Sequence, residues 1–342
     1  MAEQKDIKGA GGSIGAGTGN RSAVSGARDA AAGNKASVGK SAGGQEVWTI
    51  GRILKWTEGY FQKAGLDSPR LDAEVLLSYV LKKERIFLYV HFDQPMEAAE
   101  LAAYKDCIKR RVQRQPVAYI TGHKEFMGLE FKVTPATLIP RPDTEILVEA
   151  VLQRLKAGKD AENSLIADIG TGSGAICLSL LKYLPKLQAV TVDISQEALS
   201  VAEENAKGLE ISDRIEFLQG DMMEPLKQRS ERFSGRLSAI VSNPPYIPRA
   251  DIAGLEPDVR AFEPLGALDG GEDGLDFYRR LLADGAEFLQ PDGFLAMEAG
   301  IYQAQQLKAL AENMPQWGRC EIIRDLAGIE RVVVLWKTDV TR

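Results

Sequence analysis

Cysteine and histidine are scarce. Three cysteines, at 107, 177 and 320, and two histidines, at 91 and 123, are spread over 342 residues. An odd, widely spaced set of thiols argues against a disulfide framework and fits a reducing, cytoplasmic compartment. Too few thiol and imidazole groups remain for a zinc site in any usual spacing, so no metal is expected. No run approaches the ~18 apolar residues of a helical membrane span, and no membrane partner is expected. An excess of positive charge is also missing: 42 Lys and Arg stand against 48 Asp and Glu, a net charge of −6. Proteins that coat nucleic acid normally carry a basic surface, so stable nucleic-acid binding is not expected. The remaining composition, 44% hydrophobic and 26% charged, is that of an ordinary globular chain long enough for about two domains.

Residues 1–46 contain no aromatic side chain. Gly, Ala and Ser fill 26 of these 46 positions. Such a stretch cannot bury enough apolar area to offset chain entropy, and a disordered tail is expected. It has neither the apolar core of a signal peptide nor the Arg-rich pattern of a transit peptide. Two motif matches fall inside it. Gly11-Gly12-Ser13-Ile14-Gly15 imitates a nucleophile elbow, and Gly33 to Gly39-Lys40-Ser41 imitates a phosphate loop with one residue too many. Both chemistries need a strand that turns into a helix, and no strand precedes either match.

Ordered pattern begins near Val47. Ile50, Ile53, Leu54, Thr57 and Phe61 fall at helical spacing, with Thr49 as a candidate N-cap. Asp67-Ser68-Pro69 opens a second helix, and a third is expected from Met96 to Arg114, ended by Pro116. Residues 47–117 therefore read as a small helical bundle. The run Lys109-Arg110-Arg111 reads as a solvated helix face or as one that meets an acidic partner. A hairpin around Gly128 and a connector stiffened by Pro135, Pro140 and Pro142 fill 118–145. From 146 to 342 strands and helices alternate. Helices are expected at 146–157, 174–184, 196–207, 275–289 and 301–313. Strands are expected at 165–169, 189–194, 215–219, 237–242, 293–298, 320–324 and 331–337. This order implies an α/β fold with a mostly parallel sheet and an antiparallel hairpin at one edge.

The strand ending at Ile169 feeds Gly170-Thr171-Gly172-Ser173-Gly174 and then a helix. Glycines let the chain turn sharply and let a ligand approach the backbone, while the helix N-terminus offers unpaired amides. The loop alone is ambiguous, because Gly170, Gly172 and Ala175 also satisfy the relaxed dinucleotide fingerprint. Asp193, at the end of the next strand, suits the hydroxyls of a ribose with either ligand. Asp168 either takes a ligand ammonium or only fixes the loop. Asp221 and Met222 end the third strand at the height an adenine ring would reach, where Met222 packs on the ring or fills core.

The strand 237–242 ends in Asn243-Pro244-Pro245-Tyr246. Prolines have no amide donor and a fixed φ, so their carbonyls can be held outward. Asn243 adds a side-chain carbonyl. An array so rich in acceptors suits a planar –NH₂ group, with Tyr246 stacking on it. An amide nitrogen delocalises its lone pair and attacks poorly. Accepting both of its hydrogens exposes the lone pair and stabilises the positive charge that develops. Holding it in line with a sulfonium methyl supplies the rest through proximity. Glu298, at the end of a strand, faces this crevice or caps a buried group. His91 and His123 lie outside the motifs.

At these residues the sequence resembles the class I S-adenosylmethionine-dependent methyltransferases, and within them the peptide chain release factor N5-glutamine methyltransferases. The resemblance runs over about 47–337. It is carried by Arg70 to Glu74, Thr121-Gly122, Leu138 to Glu145, Asp168 to Gly174 and Asn243 to Tyr246. Phe262-Glu263-Pro264, Ala267-Leu268, Gly270-Gly271, Asp273 to Leu275, and Asp325, Gly328 and Arg331 extend it. It implies a Rossmann-like sheet of seven strands and S-adenosylmethionine as cofactor, held by Asp168, Gly170 to Gly174, Asp193, Asp221, Met222 and Asn243. It implies class 1 release factors as protein substrates, methylated on the glutamine of their Gly-Gly-Gln motif. Asn243, Pro244, Pro245 and Tyr246 would hold that amide. The family often has an aromatic at the place of Met222. Two alternatives stay open: the same reaction on a ribosomal protein, and exocyclic-amine methylation of nucleic acid. The helical bundle is expected to dock the protein substrate.

Overall fold

The computed structural model describes residues 47–158 and 164–338, so the stretch 1–46 and its two motif matches lie outside the described residues. Helix α1 (Ile50–Lys63) starts where the Thr49 hydroxyl accepts the Arg52 amide at 3.4 Å. Its apolar spacing sends Ile50, Ile53, Leu54, Thr57 and Phe61 to one buried face. Helix α2 (Pro69–Leu81) opens on proline at its first position. Helices α3 (Arg85–Val90), α4 (Ala98–Val112) and α5 (Val117–Thr121) complete the helical region. Periodicity finds α1, α2 and α4, but α3 and α5 are too short to show a period. Leu76, Leu77, Leu88, Tyr104 and Ile108 lie in the core that these helices share.

One reading of α4 is corrected. Lys109 is exposed, but Arg111 is buried, because it continues the inward stripe of Tyr104, Cys107 and Ile108. Its charge is tolerated there because Asp72 and Asp258 meet it, at 2.7 and 2.6 Å.

Strands β1 (His123–Phe126) and β2 (Leu129–Lys132) form the expected hairpin. Met127 and Gly128 both take left-handed φ, 52° and 67°, as a two-residue turn with the strand twist requires. Phe126 and Phe131 point into the core beneath helix α6 (Pro142–Ala157). That helix begins four residues before the expected 146. Pro142 at its first position and Asp143 and Glu145 in its first turn favour an N-terminus, so part of the expected connector is helix.

The alternating region runs β3 (Leu165–Ile169), α7 (Ala175–Tyr183), β4 (Gln188–Asp193), α8 (Gln196–Gly208) and β5 (Ile215–Gln219). It continues through the short α9 (Glu224–Lys227) and α10 (Ser230–Phe233), β6 (Leu237–Ser242), α11 (Pro257–Phe262) and α12 (Asp276–Phe288). Strand β7 (Leu289–Glu298), helix α13 (Ala304–Glu312) and strands β8 (Trp317–Arg324) and β9 (Glu330–Lys337) end it. The seven strands order as β5-β4-β3-β6-β7-β9-β8. β3 to β7 are parallel, and β9 runs antiparallel between β7 and β8. This is the mixed α/β, class I methyltransferase architecture expected from the sequence. Apolar side chains of α6 and α7 cover one face, and those of α12 and α13 the other. The chain winds outward from β3 through β4 to β5, then returns to β6 on the other side of β3. A crevice opens at the carboxyl ends of strands where the order reverses in this way.

Candidate active site

The loop after β3 is built to bring backbone close to the crevice. Gly170 and Gly174 sit at φ 85° and 81°, a region that side chains disfavour. Space is also tight at 174, where a Cβ would lie 2.8 Å from the Leu178 side chain and 3.2 Å from the Ala202 Cβ. The Gly170 and Thr171 amides donate to the Val192 carbonyl at 2.9 and 3.1 Å. The Thr171 and Thr191 hydroxyls meet at 2.5 Å, and Asn205 Nδ2 donates to the Ser173 carbonyl at 2.8 Å. Asn205 also pairs with both main-chain groups of Lys132, so the loop and the hairpin share one anchor.

A cavity of about 610 Å³ opens beside this loop. Gly170, Thr171, Gly172 and Ser173 line it with Asp193, Asp221, Met222, Asn243, Pro244 and Pro245. Asp193 ends β4. Its Oδ2 accepts the Gly172 amide at 2.8 Å and its Oδ1 the Ser195 amide at 2.9 Å. Each oxygen keeps acceptor capacity for a hydroxyl. Asp221 pairs bidentately with Arg280 of α12, at 3.0 and 2.8 Å. Met222 takes φ 52° and is half-buried against the core. Two expected residues stand behind the cavity wall, Gly174 and Asp168. Asp168 is fully buried, and neither carboxylate oxygen has a hydrogen-bond partner. Burial pushes its carboxyl up to about 7.

The Asn243-Pro244-Pro245-Tyr246 segment leaves β6 beside the glycine loop. A Cβ on Gly170 would lie 4.0 Å from the Asn243 carbonyl oxygen. Ser242 Oγ donates to the Ile169 carbonyl at 2.6 Å and locks the two strand ends together. Tyr246 faces a second, smaller cavity of about 180 Å³, which it lines with Asn243, Arg141, Val259, Leu268 and Glu298. Leu138, Arg141, Asn243 and Ala267 line both cavities, so Asn243 stands where they adjoin. The Tyr246 hydroxyl donates to Glu298 Oε1 at 3.2 Å, and its carbonyl accepts Gln303 Nε2 at 2.9 Å. Burial and the neighbouring Glu298 charge push the Tyr246 phenol well up. Glu298 is 2% exposed, and burial pushes its carboxyl up as well. Glu298 lines the small cavity and, buried, also accepts the Tyr246 hydroxyl, so features of both readings are present. His91 and His123 line neither cavity.

Sequence reasoning missed several supports of this site. Gly270 packs against Tyr246 so closely that a Cβ would lie 2.7 Å from the Tyr246 Cα. Arg141 forms an ion pair with the buried Glu263, whose other oxygen accepts the Ile139 amide at 3.3 Å. Arg331 reaches Asp325 at 3.0 Å and Asp143 at 2.9 Å. The scattered segments 138–145, 262–264, 270–275 and 325–331 are therefore one shell around Tyr246 and Asn243. Thr144, Gln303 and Glu298 belong to it too. In the sequence these segments stand out through the family resemblance, while their meeting around Tyr246 and Asn243 does not show there.

The model of the PrmC N-terminal domain matches residues 52–122, and that of the methyltransferase small domain matches residues 142–253. The chain is 43% identical over 290 residues to the release factor glutamine methyltransferase of Geobacter sulfurreducens, covering 84% of this chain and 96% of that protein. It is 46% identical over 275 residues to the enzyme of the same name from Moorella thermoacetica, covering 80% of this chain and 94% of that protein. A crystal structure of a release factor-specific protein-(glutamine-N5) methyltransferase from Alicyclobacillus acidocaldarius is 31% identical. It covers 61% of this chain and all of that one, at a TM-score of 0.39.

Proposed function

This chain belongs to the release factor glutamine methyltransferase family, and we propose that it methylates the side-chain nitrogen of the glutamine in the Gly-Gly-Gln motif of a class 1 release factor. It is an S-adenosylmethionine-dependent methyltransferase. The residues present fit that cofactor. The large cavity, at about 610 Å³, is of ligand size, the glycine loop brings backbone to its wall, and Asp168 holds two buried oxygens without a partner. Asp193 is assigned the ribose hydroxyls and Met222 the adenine face. Asp221, held by Arg280, shapes that end of the cavity. Asp168 is assigned the ligand's ammonium through a bridging water, since its oxygens lie behind the wall.

One observation carries the reading: Asn243 stands where the large cavity adjoins a small one lined by Tyr246 and Glu298. When bound, the cofactor supplies an electrophilic sulfonium methyl. The chain supplies the rest. Asn243 Oδ1 and the Pro244 carbonyl accept the two amide hydrogens, which localises the nitrogen lone pair toward the large cavity. Tyr246 stacks on the amide plane, and Pro245 keeps the segment from yielding. These fixed dipoles stabilise the charge that builds on nitrogen as the methyl leaves sulfur and need no reorganisation during transfer, and one amide proton then passes to water. The helical region docks the release factor, and the reaction takes place in the cytoplasm, where termination occurs. The net charge of −6 favours a protein over a nucleic-acid substrate.

The deciding experiment is methyl transfer from labelled S-adenosylmethionine to a purified class 1 release factor, beside its Gly-Gly-Gln→Gly-Gly-Ala variant. Label on the wild type alone is the expected result. Label on both places the modification elsewhere in the factor. Label on neither, with cofactor bound, removes the release factor and sends the search to ribosomal proteins.

A further inference from the structure

The cofactor read into the large cavity ends in an amino acid, and the glycine loop has few donors left for its carboxylate. The amides of Gly170 and Thr171 are donated to the Val192 carbonyl, that of Gly172 to Asp193 Oδ2 and that of Gly174 to the Thr171 carbonyl. Asp193, Glu197 and Asp221 line the same cavity and would repel an anion. Among the described residues two cations line it, Arg141 and Arg280. Arg280 is committed, since both of its terminal nitrogens pair with Asp221, at 3.0 and 2.8 Å. Arg141 is half-buried, and the only hydrogen bond of its guanidinium among the described residues runs from Nη2 to Glu263. It lines both cavities, as Asn243 does, whereas Asp221 and Met222 line the large one alone. The one cation with donors to spare therefore stands at the end where methyl transfer is proposed, not at the adenine end.

We propose that Arg141 binds the carboxylate at the methionine end of the cofactor, and that Glu263 holds the guanidinium in place for it. A guanidinium carries five N–H donors in a fixed fork, so one carboxylate does not exhaust it. The same chain shows this at Arg111, whose Nε and Nη1 serve Asp72 and Asp258 at once. Glu263 is buried, and its other oxygen accepts the Ile139 amide at 3.3 Å, so the anchor is itself fixed to the connector. A cation held in this way loses little side-chain freedom when the ligand arrives. The site then selects a nucleoside that carries an amino-acid end over one that lacks its carboxylate.

This inference rests on the placement of the cofactor in the large cavity, and the test separates the two. Kd is measured by calorimetry, without release factor, for S-adenosylhomocysteine and for S-adenosyl-3-thiopropylamine, which lacks only the carboxylate. Wild type should prefer S-adenosylhomocysteine by about ten- to hundredfold, the range for a hydrogen-bonded charge pair. Arg141→Met should lose that preference and bind the thiopropylamine as wild type does, and Arg141→Lys should keep part of it. Removing Arg141 leaves Glu263 buried without its partner. Arg141→Met combined with Glu263→Gln removes the leftover charge and is read in the same way if the single variant does not fold. A preference kept without Arg141, no preference in wild type, or equal loss for both ligands overturns the proposal. A raised KM for the release factor with the preference intact gives Arg141 to the protein substrate and overturns it as well. Asp193→Ala should weaken both ligands alike. If it weakens neither, the placement of the ribose fails, whatever Arg141 shows.

Discussion

Arg111 Nη1 in α4 donates to Asp258 Oδ2 in α11 at 2.6 Å, across 147 residues of chain. Arg111 Nε holds Asp72 of α2 at 2.7 Å, so one guanidinium ties two helices of the helical region to the segment that follows Tyr246. Val259, the neighbour of Asp258, lines the small cavity. Phe262, at the end of α11, packs on Tyr119 and Ile139. The wall of the proposed glutamine site is therefore held from the helical region and from the connector at once.

Asp258→Asn should leave one hydrogen bond to Arg111 but weaken the charge pairing. The expected result is a KM for the release factor raised roughly fivefold, about 1 kcal/mol, with cofactor affinity unchanged. Arg111→Met should destabilise the fold by about 3–5 kcal/mol, because Asp72 and Asp258 lose their shared partner. Steady-state kinetics and denaturant melts check both. An unchanged KM in Asp258→Asn would separate the wall from the reaction.

Asn243→Ala should cut turnover by roughly 10²–10³, the loss seen when one preorganised transition-state partner is removed. Cofactor affinity, measured by calorimetry, should change little. Retained turnover would take Asn243 out of the mechanism.

Asp193→Ala removes the acceptor of the Gly172 and Ser195 amides and the proposed ribose contact. Hydrogen bonds to a charged group contribute about 1.5–3 kcal/mol, so affinity for S-adenosylmethionine should fall roughly ten- to hundredfold. An affinity near wild type would leave Asp193 as a loop anchor only.

Asp168 gives a pH test with a definite sign. Its folded pKa, about 7, lies above that of an exposed aspartate. The folded state then holds the extra proton between about pH 4 and pH 7, so stability falls as pH rises through that window. Asp168→Asn cannot ionise, and its stability relative to wild type should climb across the same window, by at most about 4 kcal/mol. Denaturant melts of both proteins from pH 4 to pH 8 measure the difference. Parallel pH profiles would mean that Asp168 is not held protonated.

Much of this protein is legible along the chain. Apolar runs mark the inner strands of the sheet, since a strand buried on both faces must be largely apolar, and β5 and β8, at the edges, have fewer buried positions. The glycine loop and the Asn243 to Tyr246 segment announce themselves, because proline and glycine restrict local backbone whatever surrounds them. The start of α6 lies at Pro142 rather than at the expected 146, because Pro140 and Pro142 read as a stiff connector and hide the helix start that proline and an acidic first turn favour.

Tertiary structure alone decided the rest. The helical stripe of Tyr104, Cys107 and Ile108 points Arg111 inward, but only the two carboxylates brought from α2 and α11 make that burial tolerable. Nothing local says that Glu263 finds Arg141, or that Glu298 meets Tyr246. Nor does the chain show that Asp168, one residue short of the end of β3, sits behind the cavity wall rather than on it. Local sequence sets backbone preference and apolar periodicity. The partners of a polar side chain depend on which distant segments the fold brings within about 3 Å, the range over which a hydrogen bond acts.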